Sequence, residues 1–353
     1  MGIFSTAKIK KLIVGALAIA LVSPLTAGNN DRSGSAGAAQ LLILPWARTG
    51  SWAGSNLASV SGMEAMAFNV AGLAFTEGVE VGYGNIQYMG NSNIAVNTLG
   101  MAFRLGESSN TIGVEVFHVG YGDIGVTTEA APEGDGSKFA PSFLTIGLSY
   151  AKEFSNSIYG GLTVKLISES TANVSANGFS IDAGINYVTG PKRNFRFGIS
   201  LRNVGGKMKF KGDGLAAQAT VLNSNQSVVT LQNPSHGYEL PTQMGLGLSY
   251  DWYIADDHIM DFNFTFLANS FTKDQFNFGV GYSFKRIVGI NFGYMLENGI
   301  NNDVDRNTVY TGPAMGVNFN LPLGKNFKLG LDYAYRTTNP FSGFHQFAIR
   351  MEF

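Results

Sequence analysis

The chain has no cysteine, so disulfides, thiolate nucleophiles and cysteine-held metals are excluded. It is also poor in charge: Asp, Glu, Lys and Arg make up 14% of 353 residues, against about 25% in an ordinary soluble domain. The formal net charge is −1, which provides no electrostatic footprint for nucleic acid. Beyond the N-terminus no apolar run approaches the roughly 20 residues that a helical membrane span needs. Catalytic signatures are missing too. There is no Gly-x-Ser-x-Gly elbow, phosphate-binding loop or dinucleotide fingerprint. The four histidines, His118, His236, His258 and His345, show no metal-ligand spacing. Asp303, Asp305 and Asn307 have the 1,3,5 spacing of a calcium loop, but Thr308 and Ala314 stand where Gly and Glu are required. That stretch reads as a polar surface loop. Nothing sets a nucleophile beside a base, so the chain is not expected to be an enzyme or to carry a cofactor or metal.

What the chain does have is small and aromatic residues. There are 45 glycines, where about 7% usage would give roughly 25. Hydrophobic residues make 45% and aromatics 12%, mostly 26 Phe and 14 Tyr. They are arranged with a period of two. Phe276, Phe278, Val280, Tyr282 and Phe284 alternate with Asn277, Gly279, Gly281 and Ser283. Phe262, Phe264 and Phe266 alternate with Asp261, Asn263 and Thr265, and Phe347, Ile349, Met351 and Phe353 with Ala348, Arg350 and Glu352. Period two means strands with unlike faces. A soluble sandwich would bury the apolar face. Here that face is heavily aromatic and the other is rich in Gly, Asn and Ser, which fits a membrane barrel with aromatics toward lipid and small polar groups toward the lumen.

Fourteen strands are predicted, over 77–89, 95–105, 110–121, 142–154, 157–169, 177–189, 194–204, 241–253, 257–268, 274–285, 287–297, 308–320, 326–336 and 344–353. The even count suits an antiparallel barrel. Connections alternate in length. Every second one is a short turn, as at 155–156, 254–256 and 285–286, whereas 122–141, 170–176, 205–240 and 298–307 are expected to be longer. The turns 90–94 and 269–273 break the rule by being short. Short turns belong to the periplasmic side and long loops to the exterior.

Residues 1–27 read as a secretory signal peptide. Lys8, Lys10 and Lys11 form a basic start, Leu12–Val22 an apolar core too short to span a bilayer, and Ser23–Ala27 a small-residue end. Residues 28–76 are rich in Ala, Gly and Ser and carry too little apolar surface for a core of their own. They are expected to shelter in the lumen as a plug, with the barrel proper at 77–353.

Several stretches carry a family resemblance. The run Gly34-Ser35-Ala36-Gly37-Ala38-Ala39-Gln40-Leu41-Leu42, then Ala47-Arg48, then Phe68-Asn69-Val70-Ala71-Gly72-Leu73-Ala74 resembles the N-terminus of the PorV/PorQ proteins, within the wider FadL-like outer-membrane group. That group's plug motif runs aromatic-Asn-Pro-Ala-Gly-Leu. Val70 stands here at the Pro position. Glu239-Leu240-Pro241 leading into Gly245–Tyr250 is a second point of likeness. The resemblance implies a fourteen-stranded FadL-like barrel with an N-terminal hatch and two alternative functions. One is an accessory or cargo-shuttle subunit of type IX protein secretion, with translocon and cargo proteins as partners at loops 122–141 and 205–240. The other is passive transport of hydrophobic small molecules across the outer membrane.

The candidate residues follow from these readings. Arg48, Asn69, Ala71, Gly72 and Leu73 are plug-motif candidates, with Asn69 and Gly72 also explicable as turn residues. Arg48 is expected to meet a lumen carboxylate such as Asp332 or Glu352. Asp332, Arg336, Arg350 and Glu352, on the polar faces of the last strands, are expected to form a charge ladder that anchors the plug. Phe353 is the candidate assembly signal. The lumen face assigned in this way is small and polar, which favours partner binding over transport.

Overall fold

The computed structural model describes residues 32–90, 92–106, 109–220, 228–324 and 327–353. The expected signal peptide therefore lies outside the described residues. Fourteen antiparallel strands close into one barrel. They are β1 (Val79–Tyr88), β2 (Ile94–Arg104), β3 (Asn110–Gly120), β4 (Ser142–Ser155), β5 (Ile158–Thr171), β6 (Val174–Thr189) and β7 (Phe195–Gly205). The second half is β8 (Gln243–Ala255), β9 (His258–Asn269), β10 (Gln275–Phe284), β11 (Val288–Glu297), β12 (Tyr310–Pro322), β13 (Lys328–Thr338) and β14 (Phe344–Glu352). Each strand pairs with its sequence neighbours, and β14 returns to β1 with Tyr83 opposite Ile349. Closure leaves no free sheet edge, although the ladder is interrupted at 311–313 of β12. All fourteen strands lie where the alternation places them. Two hairpins in the long loops, at 124–125 with 138–139 and at Ala216–Thr220 with Val228–Gln232, were not expected.

The pleat sets two environments one residue apart. Leu148, Leu162, Leu166, Phe179, Phe278 and Ile290 point outward and are exposed, and their neighbours point inward and are buried. The core is in the lumen, filled by the N-terminal segment. Ala39–Leu42, Gly62–Ala67 and Val70–Phe75 are 3-10 turns, and Ala47–Ser51 is a single short helix, α1. Trp46, Leu57, Met63, Met66 and Leu73 of this segment are wholly enclosed, within a cluster that also includes Ala102, Ala151, Ala334 and Ala348 of the wall.

Wall glycines make this fit. A Cβ on Gly293 would lie 2.3 Å from the carbonyl carbon of Trp52, and one on Gly316 2.6 Å from the Ser51 Cβ. A side chain at either position would push the segment off the wall, which accounts for part of the glycine excess. The segment has little secondary structure, so its buried backbone needs other partners. The small polar wall residues supply them. Asn186 Nδ2 donates to the Ala58 carbonyl at 2.9 Å, Thr265 Oγ1 to the Ser55 carbonyl at 2.7 Å and Asn277 Nδ2 to the Gly54 carbonyl at 3.3 Å.

The segment runs the length of the lumen. At the long-loop end Ala36 bridges Glu239, and Arg32 pairs with Glu239 at 2.6 Å. Tyr238, in turn, pairs with Met208 across loop 205–240. At the short-turn end Gly78 accepts from Arg104 and the chain enters β1.

Candidate functional site

The expected charge ladder is present in part, around a residue that was not anticipated. Glu64, in the Gly62–Ala67 turn, has a fully enclosed side chain. Arg48 Nη2 reaches its Oε1 at 3.1 Å from α1, and Arg350 Nε reaches the same oxygen at 3.2 Å from β14. Arg350 also donates to Asp332 Oδ2 at 2.9 Å, Glu352 Oε1 at 3.2 Å and Asn320 Oδ1 at 2.7 Å. One guanidinium thus ties β12, β13 and β14 to the lumen segment. Burial pushes the Glu64 carboxyl above its ordinary range, and Arg48 and then Arg350 pull it back. Beside this cluster, Glu80 Oε2 accepts from the Met63 amide at 2.9 Å.

Two expectations need correcting. Arg48 pairs with Glu64 of its own segment, because the α1 turn and the 3-10 turn pack side by side; neither Asp332 nor Glu352 is its partner. Arg336 stands apart from the other three. It lies toward the loop end of β13, with its guanidinium 3.7 Å from the centre of the Tyr310 ring. One sequence signal could have found Glu64: between Ser33 and Thr76 it is the single acid, as Arg48 is the single base.

Asn69 caps the Val70–Phe75 turn. Its Oδ1 accepts from the Ala71 amide at 3.3 Å, and its Nδ2 donates to the Leu57 carbonyl at 3.1 Å. A Cβ on Gly72 would sit 2.1 Å from the Val60 carbonyl oxygen. Ala71 and Leu73 are fully enclosed. These four hold one turn against the wall, and none lines a cavity rim. Phe353 pairs with Val79 through two backbone hydrogen bonds at 2.9 and 3.1 Å, and its ring lies 5.2 Å from Phe327.

A second polar cluster also went unanticipated. Lys165 Nζ and Asp182 Oδ2 are 2.5 Å apart on β5 and β6. Glu115 on β3 accepts from the Trp46 indole at 2.9 Å. Arg202 on β7 donates to Gln243 Oε1 at 3.0 Å and to the Leu41 carbonyl at 3.1 Å.

The lumen segment separates two cavities. The one at the short-turn end, of about 240 Å³, is polar and lined by Arg48, Arg196, Asp251, Asp261, Asn263, Ser283, Asn291 and Asn318 among others. Arg196 holds Asp251 there with two parallel hydrogen bonds, at 3.0 and 2.7 Å. The one at the loop end, of about 330 Å³, has both polar walls, with Gln243, Asn269, Thr272, Gln275 and Asn277, and apolar ones. Leu42, Leu44, Ala53 and Phe68 come from the segment, and Leu267, Met295, Val309, Tyr88 and Tyr310 from the barrel and its loops. Arg202, Arg336 and Glu297 line it as well. The lumen is therefore not uniformly small and polar, chiefly because the segment contributes apolar side chains that strand alternation alone cannot place. A cavity with apolar and polar walls and a few convergent charged groups suits a small amphipathic ligand.

No known protein-family signature and no curated protein sequence matches the chain. Solved structures do. A deltaS2S3 mutant of the TodX monoaromatic hydrocarbon channel aligns with TM-score 0.51 and 11% identity, over 87% of this chain and 97% of that one. The Ralstonia pickettii toluene transporter TbuX aligns with TM-score 0.52 and 13% identity, over 88% and 99%. At such identity the likeness is one of fold alone, and this chain's fold is a closed fourteen-stranded antiparallel barrel.

Proposed function

We propose that the chain is a passive channel for hydrophobic small molecules in the outer membrane of a Gram-negative bacterium, with the lumen segment as its plug. The observation that carries this reading is the loop-end cavity. It joins apolar and polar walls to a few buried charges, and it lies between the long-loop mouth and the segment. In this orientation the long loops face outward, ligand collects above the plug, and the polar short-turn cavity is the periplasmic exit vestibule. The fold shared with a channel and a transporter supports the reading. The test is uptake of radiolabelled decanol by cells with an intact outer membrane, with and without the protein. Faster uptake with the protein is expected. Equal rates would defeat the proposal.

A second reading, a PorV/PorQ-like subunit of type IX secretion, rests on the N-terminal motif and on the order of the mouth. The two ends of loop 205–240 are tied down there, Met208 to Tyr238 and Glu239 to Ala36 and Arg32, and would offer a partner a formed surface. Isolation from native outer membranes separates the two. A copurifying translocon or secreted cargo supports secretion, and lipid alone supports transport.

A further inference from the structure

Most buried charges of the lumen are paired. Arg350 has Asp332, Lys165 has Asp182, Arg196 has Asp251 and Glu64 has two arginines. The loop-end cavity departs from that pattern. Arg202, Arg336 and Glu297 are each about 3% exposed and all three line it. None of them takes part in an ion pair among the described residues. Glu297 Oε2 accepts from Gln275 Nε2 at 2.9 Å, and the Asn307 amide and the Lys273 ammonium also act on this carboxylate, while its Oε1 makes no hydrogen bond of good geometry. Arg202 Nε likewise has none. Leaving buried charges unpaired is costly, and most other buried charges of the wall are paired, Glu115 being an exception that has only the Trp46 indole.

Three ligand chemistries can be weighed against this arrangement. A plain hydrocarbon would leave all three charges unmatched. A simple carboxylate would gain at the arginines but would meet Glu297, a second carboxylate, in the same enclosure. An amphiphile with both signs of charge satisfies each side: its anion accepts from a guanidinium, and its cation meets the free Glu297 oxygen. We infer that the loop-end cavity takes a zwitterionic amphiphile, with its anionic group at Arg336, its cationic group at Glu297, and its alkyl chain against Phe68, Leu267 and Met295. This deepens the channel reading and rests on it.

The test uses the full chain in lipid nanodiscs, with empty nanodiscs as the partition control. Three probes share a decyl chain: decanol, decanoate and N-decyl-N,N-dimethylglycine. Equilibrium dialysis gives their dissociation constants. The zwitterion is expected to bind wild-type protein about tenfold more tightly than decanoate, through charge attraction between its quaternary ammonium, which has no N–H to donate, and the Glu297 carboxylate. Glu297→Gln should abolish that preference without weakening decanoate. Arg336→Gln should weaken both charged probes and spare decanol. Heat-modifiable migration on gels verifies that each variant is folded. The inference is overturned if decanoate binds wild type as tightly as the zwitterion, or if the preference survives Glu297→Gln. Binding of decanol and decanoate without that preference sinks this inference and leaves the channel reading standing. Failure of all three probes to bind sinks both.

Discussion

At the residue scale the lumen depends on a few positions that tolerate nothing else. Glu64 is enclosed between Arg48 and Arg350, with side-chain exposures of 24% and 3%. Glu64→Ala removes the carboxylate and leaves both cations without it, and breaking a buried pair in this way costs about 3–5 kcal/mol. The loss should fall on docking of the segment, since Arg350 keeps Asp332 and Glu352. Limited proteolysis of nanodisc-held protein reads this out: cleavage within 40–75 should rise in the variant while the barrel fragment persists. An unchanged cleavage rate would mean that the cluster does not hold the segment. Gly293→Val tests the steric side. Its Cβ would meet the Trp52 backbone at 2.3 Å, and overpacking of that kind costs about 1–3 kcal/mol. A raised cleavage rate in the same assay is expected, and wild-type resistance would refute the close fit. The Glu64 contact was open to discovery in the sequence, because one acid and one base in a long neutral stretch have few other partners. Arg336 was not separable from Arg350 by inspection. Both alternate correctly into the lumen, and only the distance along the strands puts one at the lumen segment and the other at the loop-end cavity.

At the element scale the strands were legible because each records two solvents at once. Lipid outside and packed lumen inside leave a period-two signal in every strand, and β9 with β10 shows it most clearly. Phe264 and Phe278 face each other outward with ring centres 5.2 Å apart. Phe278→Arg should therefore cost about 2–4 kcal/mol if that position is near the bilayer midplane. The fair control is Ser283→Arg, since Ser283 lines the polar short-turn cavity. Asn277, although inward-facing, is unsuitable because it is packed against Gly54. Urea titration of folding into liposomes should show a large loss for the first variant and a small one for the second. Similar losses would place the membrane on the wrong face. The lumen segment gave no comparable signal. Its turns are too short for a helical period, and its stability comes from wall contacts that no local pattern encodes. The loop hairpins escaped for a similar reason: they pair only with each other, over two and five residues, and bury little.

At the scale of the whole molecule the barrel and its contents are separable. The barrel closes through β1 and β14 and needs no residue before 79 for its ladder. Phe353 adds two backbone hydrogen bonds at that seam, so deleting it should lower the yield of heat-modifiable barrel. Phe353→Ala, which keeps those bonds, distinguishes seam closure from a role of the ring in assembly. Normal yield from both variants would leave Phe353 without either role. The contents are a different matter. Between the two cavities the lumen is filled by Trp52, Leu57, Phe68 and their neighbours, pressed against glycines that leave the wall almost bare. Removing residues 34–74 would expose the wall's own surface, which is small and hydrogen-bonding: Asn186, Thr265, Asn277 and Asn291 would exchange their segment partners for water. A polar lumen of fourteen strands without its filling is a water-filled pore. The deletion should therefore still assemble, at a stability reduced by the lost packing, and should conduct ions in a planar bilayer where the intact protein conducts little. If secretion is the function, cargo export should fail in the same variant. The reasoning depends on the wall being hydrophilic once bared. A correctly inserted deletion variant that conducts no more than the intact chain would show that the wall collapses or that something other than this segment closes the pore.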